Sequence, residues 1–370
     1  MAGNAPAGGM NGYALAGAAD EAELRELLRR SPMAGAVRLA FTREPDYFAA
    51  DGLAGARDRT LICREEGRLC GVARLSVNQL YCGGMPRQVG YLGELRLAPG
   101  AKRPARLLRG GYRELRELLR GGAGGAAVDL CFTSVAATND RARKVLEHGG
   151  RLGLPAYRPI AELVTLLLPV GQTAAAAEEE AAGEEELTEF LRPNAAPSNL
   201  ALTFTAERWA ALARHRLVAA DFATLREQGR LVAAAAVWDL RAFRQVLVGG
   251  YHGFLEWAGP ILRFLSRLGL APPLPAVGAC LEQGMIFGAT VTAPRLWAPL
   301  LAALEARAAR RGLRWLVIAR DARDPELAML RRLRRAREYR TRLYEVRWAD
   351  GPGFGEPWGD ALFRPEVALL

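Results

Sequence analysis

The stretch Tyr91-Leu92-Gly93-Glu94-Leu95-Arg96-Leu97-Ala98-Pro99-Gly100-Ala101-Lys102-Arg103-Pro104-Ala105-Arg106-Leu107 decides the fold. Its first part reads as the end of a strand spanning Gln88 to Leu97. Strand alternation puts Leu92, Glu94 and Arg96 on one face and Gly93, Leu95 and Leu97 on the other. Pro99 and Gly100 break that strand. Proline suits the first turn of a helix, so a helix is predicted from about Pro104 to Arg120, stopped by Gly121 to Gly125. Lys102, Arg103 and Arg106 then crowd positive charge at a helix N-terminus, where the dipole opposes it. An anion bound there would relieve the conflict.

Upstream, Leu24, Leu27 and Leu28 recur at helical spacing behind Asp20, a helix-capping residue type. Thr60 to Arg64 and Cys70 to Leu80 read as strands joined by a turn at Gly67. Arg43, Glu44, Pro45, Asp46, Tyr47 and Phe48 fall in a loop before them. Downstream, Val128 to Val135 reads as a strand, Asn139 to His148 as a helix and Leu163 to Leu168 as a strand. Gly122, Gly124 and Ala127 match a relaxed dinucleotide fingerprint. That fingerprint must follow a strand and open a helix, and here the order is reversed.

The second half repeats the element order without obvious sequence identity. Ala206 to Arg216 is a predicted helix. Phe222 to Glu227 and Arg230 to Trp238 form a hairpin about Gln228 and Gly229, and Phe243 to Gly249 is expected to extend it. Met285 to Val291, Trp315 to Ala319 and Thr341 to Trp348 are predicted strands. Leu296 to Arg311 and Pro325 to Glu338 are predicted helices, with the arginines from Arg331 to Arg337 on a solvated face. The predicted organisation is a disordered tail (1–11), a first domain (12–170), an acidic and proline-bearing linker (171–198), a second domain (199–350) and a C-terminal tail (351–370). Each domain is a mixed α/β unit with a largely antiparallel sheet.

Composition narrows the function classes. The chain has 370 residues, half of them hydrophobic, and a net charge of +10. Only Lys102 and Lys144 among the 50 basic residues are lysine. The arginines are spread along the whole chain, which disfavours nucleic acid as the partner. No apolar run approaches the roughly 20 residues of a membrane helix, and the first ten residues carry no secretory pattern. The expected location is therefore cytoplasmic. Five cysteines without a CxxC pair and three scattered histidines supply no metal-ligand cluster.

The first half resembles the GNAT superfamily of acyl-CoA N-acyltransferases over about residues 12 to 168. The resemblance rests on Tyr91 to Pro99 as a fourth strand with its terminating proline, on the helix start Lys102 to Arg106, and on Thr133-Ser134-Val135 through Asn139-Asp140-Arg141-Ala142. The second half resembles the same fold by element order alone, so the chain looks like a tandem GNAT protein with a degenerate second copy. The resemblance implies that the fourth and fifth strands splay apart. Backbone groups at Leu95, Arg96 and Leu97 would pair with the pantetheine amides of a CoA donor. Its pyrophosphate would sit at Lys102, Arg103, Ala105 and Arg106. The family's helix start, Q/R-x-x-G-x-G/A, is altered here, with Ala105 and Leu107 in place of small glycine-type residues.

The resemblance also implies direct acyl transfer, with acetyl-CoA as donor and a small-molecule or peptide amine as acceptor. No metal is implied, and the chain would act as a monomer or homodimer. Glu94 is the candidate base; a salt bridge with Arg96 or another arginine is its structural alternative. The family's catalytic tyrosine position is occupied by Leu146, which leaves Tyr157 as the candidate acid and Tyr91 as a weaker one. Asn139 is a candidate near the pantetheine arm and, alternatively, a helix cap. The competing function is a non-catalytic module that binds CoA or an acidic ligand and regulates a partner. Acceptor specificity is expected from loops at residues 31–58 and 254–283.

Overall fold

The computed structural model describes residues 12–33, 35, 37–53, 57–121, 128, 130–171, 181–253, 256–257, 275–349 and 358–370. The glycine-rich match at 122–127, the tail at 1–11 and most of the 254–283 loop lie outside them. The strands are β1 (Gly12–Leu15), β2 (Val37–Thr42), β3 (Arg57–Glu65), β4 (Arg68–Cys82), β5 (Met85–Leu97), β6 (Leu130–Ala136) and β7 (Ala156–Pro169), followed by β8 (Phe222–Glu227), β9 (Arg230–Trp238), β10 (Gln245–Tyr251), β11 (Gln283–Val291), β12 (Trp315–Asp321) and β13 (Arg337–Arg347). The helices are α1 (Glu21–Arg29), α2 (Pro104–Leu119), α3 (Asp140–Glu147), α4 (Glu184–Ala195), α5 (Ala206–Arg214), α6 (Trp297–Arg310) and α7 (Glu326–Leu333).

Eleven strands form one sheet in the order β1-β3-β4-β5-β6-β13-β7-β12-β11-β9-β8. The two repeats thus share a sheet instead of each building its own. They do so by exchanging their last strands. β7 pairs with β12 of the second repeat, β13 pairs with β6 of the first, and β7 and β13 run antiparallel to each other at the centre. The predicted extension of the β8–β9 hairpin does not occur. β10 instead pairs with β2, so a segment from each repeat forms a separate two-stranded ladder.

The duplication is visible in register. Glu66-Gly67 and Gln228-Gly229 both turn with positive φ, the geometry a two-residue hairpin requires. Cys63 and Arg64 flank a register shift in the first hairpin, and Leu225 and Arg226 flank the same shift in the second. β5 holds one extra residue opposite β4 at Glu94, with φ 52°, and β11 holds one opposite β9 at Gly288, with φ 63°. These bulges turn the strands at corresponding places.

One face of the sheet buries α2 and α3 in the first repeat and α6 and α7 in the second, through residues such as Leu115, Leu119, Leu300 and Leu304. The other face buries α1, α4, α5 and the segment from Trp358 to Leu369. The acidic stretch read as a linker contains α4, whose Leu187 and Leu191 are 0% and 1% exposed. The tail also enters the core, where Phe363 packs beside Trp358 and its N–H donates to Asp321. α7 ends at Leu333, short of the predicted Glu338, and arginines in its last turn and beyond it are engaged. Arg334 pairs with the buried Glu305, Arg331 with Glu338, and Arg337 lies over the Trp315 ring.

Candidate active site

β5 and β6 are parallel neighbours only over Val89–Tyr91 against Leu130–Phe132. Two contacts close this zipper. The Thr133 hydroxyl donates to the Leu92 carbonyl at 2.6 Å, and the Tyr91 and Ser134 hydroxyls meet at 2.7 Å. Beyond them the strands part. Among the described residues, Gly93 to Leu97 then have a ladder partner only on the β4 side. One edge of that backbone faces the gap.

The bulge at Glu94 overturns the simple alternation expected from the sequence. Leu92 packs with Tyr112 and Leu115 on the α2 face. Tyr91 packs on the opposite face, and Glu94, after its left-handed residue, points to that face as well. There the Arg43 guanidinium contacts Glu94 Oε1 at 2.6 Å and the Tyr47 hydroxyl donates to Oε2 at 2.7 Å. The salt-bridge alternative is realised with Arg43. Burial opposes ionisation of this carboxyl, but Arg43, Arg74 and the Tyr47 hydrogen bond outweigh it and hold its pKa down at about 2. Burial raises the pKa of Tyr91, against the pull of Ser134.

Arg43 is placed by the two-stranded ladder. Gln245, opposite Thr42, accepts from the Thr42 hydroxyl and the Glu44 N–H and donates to the Glu44 carbonyl. This clamp sets Arg244 beside Arg43. Arg244 donates to the backbone oxygens of Ala368 and Leu370. Burial, then the charge of Arg43, brings its pKa down to about 10. Arg43, Tyr47, Ser134 and Arg244 were not among the site residues read from sequence. The loop 31–58 did signal Arg43 and Tyr47, but Arg244 reaches them only through the β2–β10 pairing.

The other expected residues fall in separate places. Leu95, Arg96 and Leu97 line a cleft between β5 and α2 with Tyr13, Leu107 and Tyr112. Lys102, Arg103, Ala105 and Arg106 are exposed at the start of α2. Lys102 pairs weakly with Glu66 at 3.3 Å, while Arg103 and Arg106 have no ion-pair partner among the described residues. Leu107 does not block the helix start, because its side chain is buried against Cys63 and Cys70. Asn139 caps α3, its Oδ1 accepting from the Ala142 N–H at 3.1 Å. Tyr157 is buried on the α2 face, bonded to the Tyr112 hydroxyl and packed on Tyr344. The structure does not bring it to Glu94.

The second repeat makes the same splay, and the C-terminal segment lies against it. β11 and β12 pair only over Gln283–Met285 against Trp315–Val317. Arg364, Pro365, Glu366 and Val367 line the gap beyond, beside Gly288 and Ile318. The Gly288 N–H donates to Glu366 Oε1 at 3.0 Å. Burial raises the Glu366 pKa to about 7, against smaller opposing effects of that hydrogen bond and of Arg320. At the start of α6, Arg295 is tied to Glu227 at 2.6 Å.

No family model matches the sequence, and no curated protein matches it. Solved structures do. N-myristoyltransferase from Saccharomyces cerevisiae, solved with bound myristoyl-CoA, is 11% identical and superposes with a TM-score of 0.58 over 99% of this chain and 86% of its own. The chain shares the fold of that N-myristoyltransferase. A GCN5-related N-acetyltransferase from Sphaerobacter thermophilus is 15% identical over 77% of this chain and 79% of its own, with a TM-score of 0.47. A GNAT-family acetyltransferase from Colwellia psychrerythraea is 14% identical over 91% of this chain and 100% of its own, also at 0.47. The repeated element order expected from the sequence is present in the structure, with the two copies joined through exchanged strands. Among the described residues no group of side chains could hold a metal ion, and no helix is long and apolar enough to cross a membrane.

Proposed function

We propose that this protein is an N-acyltransferase that takes its acyl group from an acyl-CoA, acetyl-CoA being the expected donor, bound in the splay of the first repeat. The observation that carries this reading is the contrast between the two splays. The first leaves a strand edge beside a helix start whose Arg103 and Arg106 have no ion-pair partner among the described residues, while in the second residues 364–367 lie against the gap and the helix-start arginine is paired with Glu227.

The chemistry follows from the residues in place. The free edge of Gly93 to Leu97 pairs with the pantetheine amides as an edge strand pairs with a peptide. Arg103 and Arg106, with the amides at the α2 N-terminus, hold the pyrophosphate. The amine nitrogen attacks the thioester carbonyl, a C–N bond forms and the C–S bond breaks. Tyr91 supplies a proton to the departing sulfur and recovers one from solvent through Ser134. Glu94 is ionised at neutral pH and draws in the ammonium group. With a pKa near 2 it does not retain the proton, which passes on to water.

The test is thiol release from acetyl-CoA and myristoyl-CoA with a panel of amines. Amine-dependent release that is lost in Tyr91→Phe supports the reading. Amine-independent thioester loss, or none with either donor, refutes it.

A further inference from the structure

We infer that the acceptor is a free amino acid, recognised as a zwitterion by the Arg43–Glu94 pair. This inference rests on the acyltransferase reading of the same site and names its acceptor class.

Three observations lead there. The first is an incomplete guanidinium. Arg43 is 6% exposed, and its Nε and Nη2 are spent on Glu94, yet its Nη1 is buried without a hydrogen-bond partner among the described residues. A buried N–H of a charged group left unpaired is costly, and a carboxylate oxygen would satisfy it. The second is the local charge balance. Arg74 is offset by Asp58 and Asp51, and Glu44 is used by Arg25 and Arg29. Arg43 and Arg96 are then left to share one side-chain carboxylate, Glu94, while Arg244 beside them is held by the oxygens of Ala368 and Leu370. Arg96 makes only long contacts, at 3.4 and 3.5 Å, to the Ser31 and Leu28 carbonyls. The β2–β10 ladder holds Arg43 and Arg244 side by side despite their repulsion. An anion between them removes that repulsion.

The third observation places the anion on the acceptor and not on the donor. The cations suited to the donor's phosphates, Arg103 and Arg106, are at the start of α2, on the face opposite α1. Arg43, Tyr47 and Glu94 lie on the α1 face. A positive and a negative group fixed in contact match the carboxylate and ammonium of one small molecule. An α-amino acid carries both across a single carbon. A peptide N-terminus or a simple amine offers only the ammonium.

The experiment measures kcat/KM with acetyl-CoA for three matched pairs: alanine and ethylamine, phenylalanine and phenethylamine, lysine and cadaverine. Calorimetric binding of acetyl-CoA is followed in parallel. In the wild type the amino acid of at least one pair should exceed its amine by roughly 10- to 100-fold, the worth of a charge-assisted contact. Arg43→Lys keeps a cation on Glu94 but loses the planar fork. It should cut that preference to about threefold or less, through a raised amino-acid KM, while acetyl-CoA affinity stays unchanged. Equal turnover of acids and amines overturns the inference and leaves the acyltransferase reading standing. Acetyl-CoA binding without turnover of any of the three amino acids also overturns it. Absence of binding by acetyl-CoA and, in the same titration, by myristoyl-CoA removes both. A preference that survives in Arg43→Lys, in a variant with wild-type denaturant midpoint, excludes Arg43 as the reader.

Discussion

Replacing Glu366 by glutamine should change how stability depends on pH. Its carboxyl is buried beside Gly288, and its pKa of about 7 stands above an ordinary 4.5 because burial penalises the charged form. The folded state therefore binds the proton more tightly than the unfolded state. Stability from this group is fully present below about pH 4.5 and is lost as pH rises through 7. Between pH 5 and pH 8 the linkage relation gives a loss of about 2.5 kcal/mol for the wild type. For a chain of this length that corresponds to roughly 3 °C in Tm. The neutral amide of Glu366→Gln still accepts from the Gly288 N–H and does not titrate. Urea unfolding of both proteins from pH 5 to 8 measures the difference, and the three histidines are common to both and cancel. The variant should be more stable than wild type at pH 8, and the gap between them should close by pH 5. Parallel pH profiles would refute the reasoning, because they would mean that the charged form of Glu366 is not penalised by its burial beside Gly288.

Further outcomes follow from the same geometry. Glu94→Gln should raise the amine KM by about 10- to 100-fold, with acyl-CoA affinity nearly intact, because the ionised carboxylate draws in the amine; an unchanged amine KM in a steady-state assay would exclude that role. Reversing charge at Arg103 and Arg106 should cost about 1.5–3 kcal/mol for each phosphate contact and less at high salt, read by calorimetry at two ionic strengths. Leu300→Ala, in a fully buried position on α6, should cost about 2–5 kcal/mol in chemical denaturation while leaving the acyl-CoA Kd alone. Gly288→Ala should be destabilising because its φ is +63° and a Cβ would meet Phe222 at 3.0 Å.

Much of the fold was legible because local signals carried it. The stop at Pro99-Gly100, the proline start of α2 and the turns at Gly67 and Gly229 each act over a few residues. β3, β4, β5, α2, β8 and β9 follow from them. What was not legible is what depends on pairing between distant segments. Nothing local in Ala156–Pro169 says that it joins β12 and β13 instead of closing its own repeat. The bulge at Glu94 was hidden too, because a non-glycine residue at positive φ leaves no mark in the sequence, and one extra residue inverts the face assignment of Leu92 relative to Glu94. α4 did carry a signal in Leu187 and Leu191, four positions apart, but the glutamates around them favoured a linker. Of the candidate site, Glu94 was found from its strand position. Arg43 and Arg244 meet only because Gln245 clamps Thr42 and Glu44, 201 positions or more earlier, and no spacing rule reaches that far.

On the proposed function, only one of the two similar splays binds the acyl donor. Calorimetric titration with acetyl-CoA, run on the wild type, on Arg103→Glu/Arg106→Glu and on Arg295→Glu, tests it most directly. The account predicts one site per chain, weakened at least tenfold by the double charge reversal in the first repeat and untouched by the reversal in the second. Two sites per chain, or one site that responds to Arg295→Glu and not to the change at Arg103 and Arg106, would contradict it.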